Sequence, residues 1–161
     1  MITLRAVCRE DAAQIADIYN HYVLETTVSF ETQPVDADEI ARRMDAWAPL
    51  PYFVAEEGGQ VLGYAYVHPW KDRPAYVDCY ETTVYVRHGH EGRGIGAQLM
   101  HRLIGECRAR GYRHLIACIT ATNEGSIEFH RRLGFEQASL FRAVGYKLGQ
   151  TLDVIDLQLQ L

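Results

Sequence analysis

Three glycines at alternate positions, Gly92, Gly94 and Gly96, interrupt the segment VYVRHGHEGRGIGAQLM at residues 84–100. Backbone amides at such a turn can approach a phosphate closely, because glycine has no Cβ and the first amides of a helix lack intrahelical partners. Four basic side chains lie in the same segment: Arg87, His88, His90 and Arg93. The spacing therefore predicts a cradle for a phosphate-bearing ligand.

Other interpretations of this loop stay open. The pattern Gly92-x-Gly94-x-x-Ala97 formally fits a dinucleotide fingerprint, although that motif usually opens a parallel unit and here follows a predicted hairpin. A turn without any ligand is a second possibility, whereas the Gly-Lys-Ser/Thr of a P-loop is absent. The two histidines of the loop could bind zinc, but only Glu91 lies at matching spacing, so no metal site is predicted.

Two side chains outside the loop could move protons. Alternation along a strand at residues 80–87 places Glu81 and Tyr85 on one face. Bulky neighbours can raise the pKa of such a carboxylate toward that of a useful base, although a strand glutamate can equally face solvent or pair with an arginine. His130, on a short helix, can donate a proton near neutral pH or simply bond a neighbour. Tyr85 and Tyr146 are the rival proton donors.

The elements that must position these groups follow from the periodicity of the chain. The predicted strands lie at 2–7, 52–56, 61–68, 77–87, 114–120, 135–144 and 151–161. The predicted helices run from after Asp11 through Tyr22, from Asp36 to about Trp47, from Gly94 to near Arg110, and from Asn123 or Ser126 to Leu133. This order predicts one α/β (α+β) domain over residues 1–161, a mixed sheet with helices on its faces.

Helix ends carry recognisable signals. Asp36, followed three residues later by Glu39, resembles a capping box, and Gly111 is typical of a helix C-terminus. The third predicted helix has apolar residues four apart, at Ile95, Leu99, Leu103 and Cys107. This spacing predicts that one stripe of the helix is buried.

The composition is that of an ordinary globular protein, with 48% hydrophobic and 23% charged residues and a net charge of −5. An acidic chain argues against a general nucleic-acid binder. No apolar stretch approaches the roughly 20 residues needed to span a bilayer, and the N-terminus lacks a signal-peptide pattern, so a cytoplasmic location without membrane contact is expected. The four cysteines are scattered and expected to be reduced and mostly packed: Cys8, Cys79, Cys107 and Cys118.

The glycine-rich loop resembles the acyl-CoA pyrophosphate loop of the GNAT superfamily of N-acetyltransferases, R/Q-x-x-G-x-G/A, in EGRGIG at residues 91–96. The departure is Glu91, where the family usually has Gln or Arg. The segment TNEGSIEFHRRLGF at 122–135 is similar to the second motif of the family. Five stretches, taken in order, resemble the phosphinothricin and methionine sulfone/sulfoximine acetyltransferase branch: IYNHYV, TVSFET, PWKDRPAY, YETTVYVRH and RAVGYK.

This resemblance implies a GNAT fold, with a mixed, mostly antiparallel sheet of about seven strands and about four flanking helices. It also implies acetyl-CoA as co-substrate, without a metal. Backbone amides of the strand at 80–87 would bind the thioester carbonyl and pantetheine, and the loop would bind the pyrophosphate. The implied cofactor-binding residues are Val84, Tyr85, Val86, Gly92, Arg93, Gly94, Ile95, Gly96, Ala97, Asn123 and Ser126.

The implied reaction is acetylation of the α-amino group of phosphinothricin, methionine sulfone or methionine sulfoximine by direct attack in a ternary complex. Glu81 would be the base, and His130 or Tyr85 the acid. The implied substrate-binding residues are Phe30, Lys71, Asp72, Arg73, Glu81, Thr82 and Thr83. A homodimer is also implied, with residues 19–23 and 27–32 near the interface. Alternatives are acetylation of another amine, such as a protein N-terminus, and non-catalytic acyl-CoA binding.

Overall fold

A computed structural model describes residues 1–161. Its strands are β1 Thr3–Ala6, β2 Tyr52–Glu57, β3 Gln60–Pro69, β4 Cys79–Val86, β5 His114–Thr120, β6 Glu136–Lys147 and β7 Gln150–Gln160, and its α-helices are α1 Ala12–Glu25, α2 Ala37–Trp47, α3 Ile95–Ala109 and α4 Glu124–Arg132. The seven strands form one sheet in the order β1-β2-β3-β4-β5-β7-β6. Every neighbouring pair is antiparallel except β4 and β5. The predicted fold class and element order are confirmed.

The start of β4 was predicted too early, at residue 77. Asp78 has a φ of 52°, in the left-handed region, which interrupts extended backbone. Its carbonyl accepts hydrogen bonds from the amides of Arg113, at 2.8 Å, and His114, at 3.1 Å. The chain is therefore tied to the beginning of β5 before it joins the ladder with β3.

The predicted helix caps are present with one difference. The carboxylate of Asp36 accepts the amide of Glu39 at 2.8 Å, as a capping box requires. The reciprocal bond is absent, because the Glu39 carboxylate instead binds Arg42 at 2.7 Å and Arg43 at 2.9 Å. At α4 the capping residue is Asn123, whose side chain accepts the amide of Ser126 at 3.3 Å.

Helices cover both faces of the sheet. On one face α3 packs with its predicted apolar stripe fully buried: Ile95, Leu99, Leu103 and Cys107. On the other face α1 and α2 bury a second apolar cluster that includes Ile15, Ile18 and Ile40. The central strands are thus held rigidly from both sides. None of the helices combines the length and the apolar composition that crossing a membrane requires.

The parallel pair β4 and β5 separates partway along its length. Their ladder runs from Cys79 opposite His114 to Glu81 opposite Ile116 and ends there. Beyond that point β4 continues to Val86 with β3 as its partner, and β5 continues with β7. The sheet therefore opens into a cleft that starts at Glu81.

Candidate active site

A cavity of about 310 Å³ lies between β4 and β5, where the two strands separate. Its wall combines both strands with α4 and the loop between α1 and α2. From β4 and β5 come Glu81, Thr82, Thr83, Val84, Tyr85, Ala117, Cys118, Ile119 and Thr120, and from α4 and its cap come Asn123, Ser126 and His130. Eight residues predicted for catalysis or binding therefore meet in one place, and Phe30 from the loop joins them.

One edge of β4 has no strand partner in the cleft. Residues 82–86 pair with β3 on one side, while the ladder to β5 has already ended. The carbonyl of Val86 accepts the hydroxyl of Tyr22, and the amides on this edge lack a strand partner, as those of an exposed strand edge do. The predicted contact of Val84, Tyr85 and Val86 with a cofactor is compatible with this geometry and stays a prediction.

The glycine-rich loop lies beside the end of β4. Gly92 and Gly94 have φ values of 77° and 75°, which side chains other than glycine adopt only with strain. A Cβ on Gly96 would lie 3.6 Å from side-chain atoms of Val86 and Phe129, so α3 starts close to the free strand edge. The first intrahelical bond is from the amide of Gln98 to the carbonyl of Gly94. The amides of residues 95–97 precede it and remain available to an anion.

The arginines of this loop are already paired with carboxylates. Arg87 binds Asp17 at 2.7 Å, and Arg93 binds Glu57 at 2.8 Å. The positive charges of both arginines are therefore offset by neighbouring carboxylates, and the contact of Arg93 with a cofactor stays a prediction. Attraction for a phosphate rests mainly on backbone amides and the helix dipole.

Glu91 acquires a structural role that its sequence position did not indicate. Its carboxylate accepts the amide of Gly89 at 2.7 Å and lies 3.5 Å from Nδ1 of His88. Slight burial raises the pKa of Glu91, but hydrogen bonds from backbone amides lower it by a larger amount. The net shift of the pKa is therefore downward. The ionised carboxylate closes the turn before the cradle.

Glu81 is paired with a histidine that sequence reasoning missed. His68 lies directly opposite Glu81 in the β3–β4 ladder, and its Nε2 is 3.1 Å from the carboxylate. Both side chains line the cavity. Only the hairpin register could have shown this contact, since the two residues are far apart in sequence and carry no joint motif.

His130 is buried in α4, with 4% of its surface exposed. Its Nδ1 is 2.8 Å from the carbonyl oxygen of Ser126, which can only accept, so the neutral ring carries its proton on Nδ1. Nε2 has no hydrogen-bond partner, and no side-chain nitrogen or oxygen without a partner is fully buried, so Nε2 is accessible. Because His130 lines the cavity, we infer that Nε2 faces it. Burial lowers the pKa of His130, although the Ser126 carbonyl partly opposes this shift. The neutral ring thus presents an acceptor to the cavity, and a proton must first be loaded before His130 can act as an acid.

The rival tyrosines differ in position. Tyr85 lines the cavity, and burial is the main cause that raises its pKa well above the usual range. Tyr146 is 75% exposed on β6 and does not line the cavity. Tyr85 therefore remains a rival to His130 by position.

The predicted substrate residues divide into two groups. Phe30, Thr82 and Thr83 line the cavity, and a Cβ on Gly145 would overlap the ring of Phe30, so β6 supports that ring closely. The charged residues of the loop between β3 and β4 do not line it: Lys71, Asp72 and Arg73. Their role in substrate binding stays a prediction.

All four cysteines are free thiols, but the expectation that they are mostly packed fails for two of them. Cys107 is buried under α3, whereas Cys8 and Cys118 are exposed. Cys118 lines the cavity together with its neighbours Ala117 and Ile119.

Comparison with known proteins places this geometry in a family. The model of the acetyltransferase (GNAT) family matches residues 15–135. The chain is 38% identical over 157 residues to a phosphinothricin N-acetyltransferase from Streptomyces viridochromogenes, covering 95% of this chain and 84% of that protein. It is also 38% identical to an L-methionine sulfoximine/L-methionine sulfone acetyltransferase from Salmonella typhimurium, covering 99% of this chain and 95% of that protein.

A solved structure agrees with the sequence relatives. A GNAT superfamily phosphinothricin acetyltransferase from Sinorhizobium meliloti, in complex with acetyl-CoA, superposes with a TM-score of 0.95 at 37% identity. The match covers 99% of this chain and 88% of that one. The similarity therefore extends over the whole sheet and its helices.

Proposed function

The chain belongs to the GNAT family of acetyltransferases, and on that premise we propose that it transfers the acetyl group of acetyl-CoA to the α-amino group of a small amino-acid analogue. The proposed substrates are methionine sulfone, methionine sulfoximine and phosphinothricin, because relatives at 38% identity are named for these compounds. The amine attacks the thioester directly in a ternary complex.

The observation that carries this proposal is the free edge of β4, which joins the glycine-rich loop to Glu81. The edge begins beside Gly96 at Val86 and ends at Glu81, roughly 17 Å away along an extended strand. Unpaired helix amides lie at one end and a carboxylate at the other. An elongated donor with an anionic end and a reactive carbonyl matches this arrangement.

The residues of the cleft account for the protons of the reaction. An ammonium substrate loses one proton to Glu81 before attack and a second as the amide forms, while the thiolate of CoA gains one. Free amides of β4 stabilise the negative charge on the thioester oxygen, and one such donor typically contributes about 2.7–4 kcal/mol. The reaction thus releases one net proton.

We assign protonation of the thiolate to His130, with Tyr85 as its rival. Nε2 of His130 faces the cavity, and the lowered pKa makes its imidazolium a stronger acid than an exposed histidine. In His130→Ala the pH dependence of kcat changes if this assignment holds. An unchanged profile would transfer the role to Tyr85.

Substrate recognition is assigned to Phe30 in the cleft and to the charged loop between β3 and β4. Phe30 packs on the aliphatic part of the substrate, and Lys71 and Arg73 bind its acidic groups, with Asp72 beside them. Desolvation by the surrounding cleft wall raises the pKa of the Cys118 thiol to about 12, although the residue as a whole is exposed, and the ammonium of Lys71 partly opposes that shift, so Lys71 acts on a cavity-lining residue. Thr82 and Thr83 supply polar contacts at the floor.

A homodimer is part of the proposal. β6 forms an outer edge of the sheet and exposes several large apolar side chains: Leu140, Phe141, Val144 and Tyr146. An apolar edge strand is prone to association. Residues 19–23 and 27–32 are proposed to lie near the interface. Light scattering tests this: a mass of one chain at micromolar concentration contradicts it.

A substrate panel tests the proposed specificity. Initial rates of CoA release are measured with methionine sulfone, methionine sulfoximine, phosphinothricin and a peptide amine, and mass spectrometry identifies the N-acetyl product. We expect the three analogues to exceed the peptide in kcat/KM. A preference for the peptide would assign the protein to N-terminal acetylation instead. Parallel rather than intersecting initial-velocity lines would contradict direct attack.

A further inference from the structure

His68 and Glu81 form an isolated pair within the cleft. They lie opposite each other on β3 and β4, with Nε2 of His68 3.1 Å from Oε2 of Glu81. The two side chains are 23% and 28% exposed, so the pair is partly shielded from water. Both residues line the cavity beside the proposed reaction centre.

The hydrogen bonds of His68 define how many protons the pair holds. Nδ1 lies 3.0 Å from the carbonyl oxygen of Pro69, which can only accept, so Nδ1 carries a proton. Nε2 faces a carboxylate oxygen, and two lone pairs at that distance would repel each other. The contact is therefore attractive when a second proton lies between Nε2 and Oε2, which is the loaded state of the pair; release of that proton to solvent leaves neutral His68 beside ionised Glu81, the empty state.

The surroundings of His68 favour a positive ring. Trp47 on α2 stacks on the imidazole with ring centroids 5.1 Å apart and planes 23° from parallel. A cation over an indole face is stabilised at this separation. Burial lowers the pKa of His68, but the hydrogen bond and charge of Glu81 outweigh it, so the net shift is upward.

Few other titratable groups face the pair. Tyr66 lies next to His68 on β3, with ring centroids 6.1 Å apart, and burial raises its pKa, which keeps the phenol neutral. The thiol of Cys118 on β5 is also held neutral, and the ammonium of Lys71 acts on it. Glu81 is thus the single carboxylate paired with His68.

We propose that His68 is a positioning residue for Glu81 and the store for the proton that Glu81 removes from the substrate ammonium. This inference rests on the proposed function, in which Glu81 is the base. The step starts from ionised Glu81 and neutral His68: the ammonium N–H bond breaks, its proton passes to the Glu81 carboxylate, and a proton then moves from Oε2 to the lone pair on Nε2 of His68. The result is a neutral amine, a carboxylate and an imidazolium, with total charge unchanged. Histidine then returns the proton to solvent after acetyl transfer.

A pair of histidine variants tests the store. His68→Gln keeps a donor for the carboxylate but removes the titrating ring, and His101→Gln on the exposed side of α3 is the matched control. In the wild type we expect kcat to rise with pH as His68 becomes neutral. In His68→Gln we expect this acidic limb to move to lower pH by at least about one unit. We also expect kcat at pH 8 to fall roughly tenfold, because the store is lost.

The control and the Michaelis constants complete this test. His101→Gln should behave as the wild type, and KM for acetyl-CoA in His68→Gln should stay within about twofold. An acidic limb that stays in place in His68→Gln, with or without a fall in kcat, overturns the proposal.

A titration that needs no activity separates this inference from the proposed function. The Cε1–H resonance of His68 in the full-length protein, assigned by its loss in His68→Gln, is followed against pH by NMR. We expect its midpoint to lie above 6.5 in the wild type and to fall by at least about one unit in Glu81→Gln. An unchanged midpoint refutes the pair. Failure of the wild type to acetylate any amine would instead refute the function, while the titration still decides whether the pair shares a proton.

Discussion

The Gly94→Ala substitution distinguishes a loss of phosphate binding at the glycine-rich loop from a loss of stability through backbone strain. Gly94 caps α3 with a φ of 75°, where a residue with a Cβ costs roughly 1–2 kcal/mol. The added Cβ would meet nothing closer than the side chain of Gln98 at 3.9 Å, so strain is the main cost in the free protein. For a chain of this size, the melting temperature should fall by roughly 2–8 °C.

The same Cβ would stand where a pyrophosphate must approach the amides of residues 95–97. Losing one hydrogen bond to a charged group costs about 1.5–3 kcal/mol. KM for acetyl-CoA should therefore rise roughly 10- to 150-fold in Gly94→Ala, with a smaller change in kcat.

Gly111→Ala is the matched control for this substitution. Gly111 has a φ of 77° and follows the other end of α3, and a Cβ added there would have no neighbouring atom within 4 Å. Thermal melts and initial rates against acetyl-CoA are measured for both variants. Equal losses of stability with a raised KM in Gly94→Ala alone support the cradle. A KM for acetyl-CoA in Gly94→Ala equal to that of Gly111→Ala would refute it.

Three further substitutions test residues in and around the cleft. Arg73→Glu should raise KM for the amino-acid substrate at least about tenfold and leave KM for acetyl-CoA unchanged in initial-rate assays; the reverse pattern contradicts its assignment. Lys147→Met removes a buried hydrogen bond from Nζ to the carbonyl of Ser29 at 2.6 Å, so urea unfolding should show a loss of about 1–3 kcal/mol, and unchanged stability contradicts this. Burial lowers the pKa of His130 in the folded state, so the unfolded state takes up this proton more readily. The contribution of neutral His130 to the free energy of unfolding is therefore present above pH 6.5 and is lost as pH falls. His130→Gln should therefore lose less stability between pH 8 and pH 5 than the wild type, and an equal loss refutes this.

Local signals were sufficient for much of the architecture. Apolar residues four apart on α3 and the glycines at both of its ends depend on neighbours within one or two turns, so periodicity and backbone conformation were enough to predict the helix. The unpaired amides of the cradle follow from the same local geometry.

Contacts between segments that are distant in sequence could not be predicted from these local patterns. The partners of Arg87 and Arg93 are Asp17 and Glu57, which lie on other elements and neutralise charges that sequence assigned to the cradle. The pairing of His68 with Glu81 depends on the register of β3 and β4, and a shift of one residue would place the two side chains on opposite faces. The opening of the sheet at Glu81 likewise results from the packing of whole strands.

The central claim is that this cleft acetylates an amine with Glu81 as the base. Its most direct test is the rate of thiol release from acetyl-CoA by wild type and Glu81→Gln, with methionine sulfone, methionine sulfoximine or phosphinothricin as acceptor. We expect amine-dependent release by the wild type, one N-acetyl product per thiol, and a kcat roughly 10²- to 10⁴-fold lower in Glu81→Gln. Absence of amine-dependent release by the wild type, or equal kcat in the two proteins, would contradict the claim.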